Sequence, residues 1–166
     1  AAIVHADANL DAAVPLIVGG AYAYAGQVCI SVQRVLIHRS RYADAREQLI
    51  AEAAKVATGT PDDPSVICGP LINPSAKSRI LLWEKEALDA GGQLTYTQPE
   101  HENPSILAPR ICEHVPRQCK LYQEEVFGPV MMLESYETLD EAIALVNQSR
   151  WGLQAGFFGE KLPDVF

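Results

Sequence analysis

The sequence predicts an α/β domain of three layers, with helices on both faces of a mostly parallel sheet. Three observations carry that expectation. Short apolar and β-branched runs recur along the 166 residues, separated by segments whose apolar positions repeat at helical spacing. Strand and helix alternate, which is the order that builds βαβ units. No internal repeat, low-complexity tract or linker divides the chain, so residues 1–166 read as one domain.

Ala2–Val4 is a short apolar strand. Asp7 or Asn9 caps the helix that follows, because a short polar side chain there accepts from free N–H groups. Leu10, Val14, Ile17, Val18 and Ala21 form its apolar face, and the helix is expected to run to about Ala25. Pro15 falls in its first turns, where a missing N–H costs least. Val32–His38 is β-branched and reads as a strand. Tyr42–Thr58 reads as an amphipathic helix closed by Gly59. Thr60–Pro74 holds four of the eleven prolines (61, 64, 70 and 74) and is a loop. Asn73 then caps a helix over Ser75–Ala90, ended by Gly91-Gly92. Gln93–Thr97 is a strand, Gln98–Pro104 a polar loop, and Ser105–Ala108 and Val130–Ser135 are further strands. Leu139–Ser149 is helical and Leu153–Phe158 is the last strand. Leu162–Phe166 reads as the opening of another helix. With Ala1-Ala2-Ile3-Val4 a strand already under way and no initiating methionine, the chain reads as a piece of a longer protein.

Composition narrows the function classes. A chain of this length buries roughly 70% of its unfolded surface. Apolar residues make up 48% and charged residues 20%, a globular interior with a polar exterior. A net charge of −8 argues against a nucleic-acid partner, which needs concentrated Lys and Arg. No apolar run approaches the ~18 residues that cross a bilayer, and the first residues lack a basic segment before an apolar one. The four cysteines are irregularly spaced, so a disulfide framework is not expected and a reducing cytoplasm is.

Chemistry concentrates in two segments. Gly26-Gln27-Val28-Cys29 puts a thiol between a helix and a strand, with Gly26 free to turn and the small Ile30-Ser31 leaving an approach. A thiolate attacks carbonyl carbon well; ordinary cysteine has a pKa of about 8.5, so its site must lower that or supply a base. Taken alone, this cysteine also suits a small buried hydrophobe. Glu124-Glu125-Val126-Phe127-Gly128-Pro129-Val130 offers a carboxylate able to accept from the vicinal hydroxyls of a ribose, an aromatic to pack on a flat ring, and a fixed turn into a strand. Taken alone, it also suits a solvated glutamate pair at a strand entry. Cys112, His114 and Cys119 match no common zinc spacing and lack a fourth ligand, so no metal is expected.

Read in order, Gly26–Cys29, the Gly69-Pro70-Leu71-Ile72 loop, Glu124–Val130, and Asn147 followed by Trp151-Gly152-Leu153 resemble the NAD(P)-dependent aldehyde dehydrogenase superfamily. The resemblance runs from His5 to Phe158 and implies the fold of that family's catalytic domain. It implies that Cys29 is the nucleophile, that Glu125 binds the nicotinamide-ribose hydroxyls and that Phe127 packs beside that ribose. It implies NAD or NADP as cofactor, a small aldehyde as substrate and a homo-oligomeric parent protein. The implied reaction adds the Cys29 thiolate to the aldehyde, with the Cys29 N–H on the oxyanion, and passes through a thioester to the carboxylic acid. The run Cys29-Ile30-Ser31-Val32-Gln33-Arg34 is similar to members acting on small hydroxylated or anionic aldehydes.

The chain also departs from the family. The general-base glutamate of a Glu-Leu-Gly-Gly stretch is absent, as are the dinucleotide-binding and oligomerisation segments; Gly19-Gly20 and Gly91-Gly92 match no phosphate-binding fingerprint. Ser31 stands where the family commonly has a small apolar residue. The chain is therefore expected to fold as a truncated catalytic domain, to bind cofactor weakly and to turn over no aldehyde by itself. Two rival readings remain at this point. A cysteine-dependent hydrolase or acyltransferase needs His5 or His38 within ~3.2 Å of Cys29. A non-catalytic α/β module needs Cys29 sealed in an apolar shell.

Overall fold

The computed structural model describes residues 1–161, so the expected helix start at 162–166 lies outside the described residues. The β-branched and apolar runs form strands β1 (Ala2–Val4), β2 (Arg34–His38), β3 (Gln93–Thr97), β4 (Arg110–Glu113), β5 (Val130–Tyr136) and β6 (Gly156–Phe158). They lie in one sheet in the order β3-β4-β5-β2-β1-β6. Every pairing is parallel except that of β3 with β4.

Strand period two sorts the side chains between the faces. Ala2, Val4, Val35 and Ile37 point into the larger core, with α1 (Leu10–Tyr22), α2 (Tyr42–Ala53) and α3 (Pro74–Asp89). Ile3 and Leu36 point the other way, onto Ala142 and Leu145 of α5 (Leu139–Asn147). Helices therefore cover both faces, as the alternation of elements predicts. Each fully buried Leu or Ile contributes about 1.5–3 kcal/mol of apolar burial.

Capping follows the sequence closely. Asn9 Oδ1 accepts from Ala12 N at 3.2 Å, Asn73 Oδ1 from Ala76 N at 2.8 Å, and Thr138 Oγ1 from Glu141 N at 3.2 Å. Leu10, Val14, Ile17, Val18 and Ala21 are all buried, on the face their spacing defines. Among the described residues, no helix is long and apolar enough to cross a membrane.

Four expectations are corrected. The first helix stops at Tyr22; Ala23–Gly26 forms a tight turn in which Tyr24, Ala25 and Gly26 take φ of 52°, 54° and 67°. The helix expected over 42–58 stops at Ala53, where Gln98 Nε2 donates to Ala53 O, the helix's last carbonyl, and to Val56 O in the turn beyond it, both at 2.9 Å. Residues 105–108 are irregular, with Ile106, Leu107 and Ala108 buried, and the strand lies beyond Pro109 at β4. The polar ends of β4 disguise it: Arg110 meets Glu84 and Glu100, while Glu113 accepts from Tyr42 and Arg46. Finally, the last strand is confined to Gly156–Phe158, and the short helix α4 (Lys120–Gln123) occupies a stretch assigned to no element.

Candidate active site

The turn Ala23–Gly26 ends α1 and delivers the chain into an irregular loop, residues 27–33, that carries Cys29 before β2 begins. Local hydrogen bonds shape this loop: Ser31 N to Val28 O at 2.9 Å, Val32 N to Gly20 O at 3.1 Å and Ser31 Oγ to Ala21 O at 3.3 Å. Cys29 is exposed at its crest. Cys68 and Cys112 are buried, and burial pushes both thiols up to about 12, which leaves them inert near neutral pH. Among the described residues the Cys29 N–H donates to no protein acceptor.

The second segment lies directly against the first. Gly26 and Gly128 are in backbone contact, and Gln33 links the Cys29 loop to residues 121–126. As a result Cys29 and Glu125 line one cleft of about 280 Å³, walled also by Arg34, Tyr122, Trp151 and Leu153. Glu124 is taken up by an ion pair with Arg150. Among the described residues Glu125 has no such partner, so its carboxylate is available as an acceptor. Phe127 does not line this cleft; it is 39% exposed at a φ of 48°, in the turn into β5.

Arg34 forms the buried cationic wall of the cleft. Its Nη2 donates to Tyr122 Oη at 2.6 Å and to Leu145 O at 3.1 Å, and its guanidinium lies 4.3 Å from the centre of the Tyr122 ring. Tyr122 in turn donates to Glu134 Oε2 at 2.8 Å. Burial, reinforced by that glutamate, pushes the Tyr122 hydroxyl up to about 12, so it stays a donor.

His5 and His38 are elsewhere. Ala1 and Arg34, at the amino ends of β1 and β2, line the Cys29 cleft, whereas His5 follows the carboxyl end of β1 and His38 is the last residue of β2. One strand of this length separates the two ends by roughly 13 Å at ~3.3 Å per residue. The pair instead bonds to Asp7 and Ser40, with ring centroids 6.1 Å apart. A Cys–His couple has no geometry here. Nor is the thiol sealed in an apolar shell, as a structural cysteine would be.

Sequence reasoning missed the residues that hold the cleft together. Gln27 Nε2 donates to Pro70 O at 3.2 Å and its Oε1 accepts from Ile72 N at 2.8 Å, which ties the Gly69–Ile72 loop to the cysteine loop. Gln33 and Tyr122 were likewise unassigned. The only available signal was the position of the two glutamines on either side of Cys29.

Residues 1–166 match the model of the aldehyde dehydrogenase family. The chain is 36% identical to 3-sulfolactaldehyde dehydrogenase of Priestia megaterium, over 98% of this chain and 34% of that protein. It is 37% identical to aspartate-semialdehyde dehydrogenase 1 of Pseudomonas canavaninivorans, over 96% of this chain and 34% of that protein. Its fold superposes on the crystal structure of lactaldehyde dehydrogenase from Escherichia coli with a TM-score of 0.92 at 30% identity, covering 99% of this chain and 35% of that one. It superposes on Mycobacterium tuberculosis aldehyde dehydrogenase complexed with NAD+ with a TM-score of 0.91 at 30% identity, covering 98% and 34%. The chain thus spans about a third of the length of the relatives it matches.

Proposed function

This chain belongs to the aldehyde dehydrogenase family, and on that premise we propose that it carries the cysteine-bearing catalytic part of an enzyme oxidising an aldehyde to a carboxylic acid with NAD or NADP. The observation that carries this reading is the shared cleft of Cys29 and Glu125. The Cys29 thiolate adds to the aldehyde carbon, and the carbonyl oxygen takes the electron pair as an oxyanion facing the free Cys29 N–H. As the C=O re-forms, that carbon gives up its hydrogen as hydride, and the acyl group rests on Cys29 Sγ as a thioester until water cleaves the C–S bond and releases the acid.

The donor set in the cleft fits one end of the cofactor. Glu125, free where Glu124 is paired, would accept from the nicotinamide-ribose hydroxyls. Phe127, exposed two residues further along the same segment, would pack beside that ribose. When bound, NAD(P) supplies the acceptor for the hydride. Among the described residues none forms a cradle for its diphosphate, which fits the reading that this stretch alone binds cofactor weakly. The relatives named for 3-sulfolactaldehyde and aspartate semialdehyde, both anionic aldehydes, favour a small anionic or hydroxylated substrate.

Fusing this chain to the remaining segments of the Priestia megaterium relative tests the reading. The chimera should form NAD(P)H from an aldehyde, and Cys29→Ala should abolish it; undiminished turnover in Cys29→Ala overturns the assignment. The chain alone should give no NADH signal, since no general-base glutamate stands in a Glu-Leu-Gly-Gly stretch of its sequence. A clear signal from it would overturn that part.

A further inference from the structure

We propose that Gln33 is a positioning residue that sets Glu125 in the cleft against Cys29, an inference that rests on the functional reading above. All three hydrogen bonds that its primary amide makes run to one segment. Nε2 donates to Leu121 O at 3.2 Å and to Glu124 O at 2.9 Å, and Oε1 accepts from Val126 N at 2.9 Å. The peptide preceding Glu125 is held through the Glu124 carbonyl, and the peptide following it through the Val126 N–H. One side chain therefore brackets both backbone dihedrals of Glu125.

The other end of the strut is equally fixed. Gln33 N donates to Ser31 O at 3.0 Å within the Cys29 loop, and Gln33 O accepts from Met132 N at 2.8 Å on β5. The loop of the thiol and the segment of the carboxylate thus share one support. Further bonds hold the same segment, notably Arg79 Nη2 to Val126 O at 2.7 Å and Glu124 N to Lys120 O at 2.8 Å. Those leave the Glu125 segment in contact with α3 and α4; the bonds of Gln33 are the side-chain bonds that refer it to the cysteine loop. An amide suits the task because it presents donor and acceptor together without charge.

The test uses the chain as it stands and reads the field of Glu125 at the Cys29 sulfur. Cys29 is alkylated with anionic iodoacetate and with neutral iodoacetamide, and the two rates are read at the Cys29 peptide by mass spectrometry. Their ratio cancels the thiolate fraction and reports local charge. Glu125→Gln should raise the iodoacetate-to-iodoacetamide ratio by about threefold, the size expected of one like charge across a solvated cleft. Gln33→Met, which keeps the volume and loses the amide, should raise it similarly in the wild-type background and change it little in the Glu125→Gln background.

A rise in Glu125→Gln with none in Gln33→Met, or an equal Gln33→Met effect in both backgrounds, overturns the positioning role alone. No rise in Glu125→Gln overturns the shared cleft, and the proposal with it. Should Gln33→Met fail to fold, amide exchange in the wild-type chain decides: Val126 N–H should be protected at least tenfold over an open amide, and exchange at the open rate overturns the proposal.

Discussion

Gly26 and Gly128 are pressed backbone to backbone: a Cβ built on Gly26 would lie 2.2 Å from Gly128 O and 2.6 Å from its carbonyl carbon. This contact joins the segment that carries the thiol to the segment that carries the carboxylate. Gly26 also adopts a φ of 67°, where a side chain is strained. Gly26→Ala meets both penalties, because the atom it would strike is backbone and cannot rotate away. A loss of about 2–4 kcal/mol is expected, read as a lower urea midpoint.

Gln27 is expected to act on the opposite flank of Cys29. Gln27→Ala removes its part-buried bond to Pro70 O and its exposed bond to Ile72 N. The stability loss should be about 1–2 kcal/mol. Hydrogen exchange at Ile72 N–H should speed up markedly, while that at Val126 N–H, held by Gln33, should not change.

The cysteines should separate cleanly in stability measurements. Cys29 is exposed, so Cys29→Ser should shift stability by less than about 0.5 kcal/mol. Cys112 is wholly buried in β4, and Cys112→Ser places a hydroxyl in that core at a cost of about 1–3 kcal/mol. Paired thermal melts check both.

Acid should act through Glu113. Burial works against its ionisation, but hydrogen bonds from Thr95, Tyr42 and Arg46, with the charge of Arg46, hold its carboxyl below the usual range. A carboxylate with a depressed folded-state pKa stabilises the fold above its unfolded value of about 4.3 and loses that contribution as pH falls through the folded value. The urea midpoint of the wild type should therefore drop more between pH 6 and pH 3.5 than that of Glu113→Gln. Glu84, whose carboxyl burial holds above the usual range, works in the opposite sense and remains common to both proteins.

The sequence made the fold legible wherever a side chain acts on its own element. Asn9 and Asn73 cap their helices from within the chain's local pattern, and the spacing of Leu10, Val14 and Ile17 defines a buried face. Legibility failed where a distant residue decided the matter. Gln98 ends α2 from a loop far along the chain, and Arg110 and Glu113 make a polar strand buried only because Glu84, Tyr42 and Arg46 come to meet them. The site divides in the same way. Cys29 and Glu125 could be named from their motifs, whereas the struts Gln27 and Gln33 gain their meaning only from the carbonyls and amides of other loops. Phe127, named from the same motif as Glu125, lies outside the lining of the cleft.

The measurement closest to the central claim is time-resolved labelling of the native chain with iodoacetamide, followed residue by residue. Modification should begin at Cys29, roughly tenfold ahead of half-buried Cys119, with Cys68 and Cys112 reacting only as the chain unfolds. Labelling of Cys119 ahead of Cys29, or protection of Cys29 until unfolding, would contradict the account.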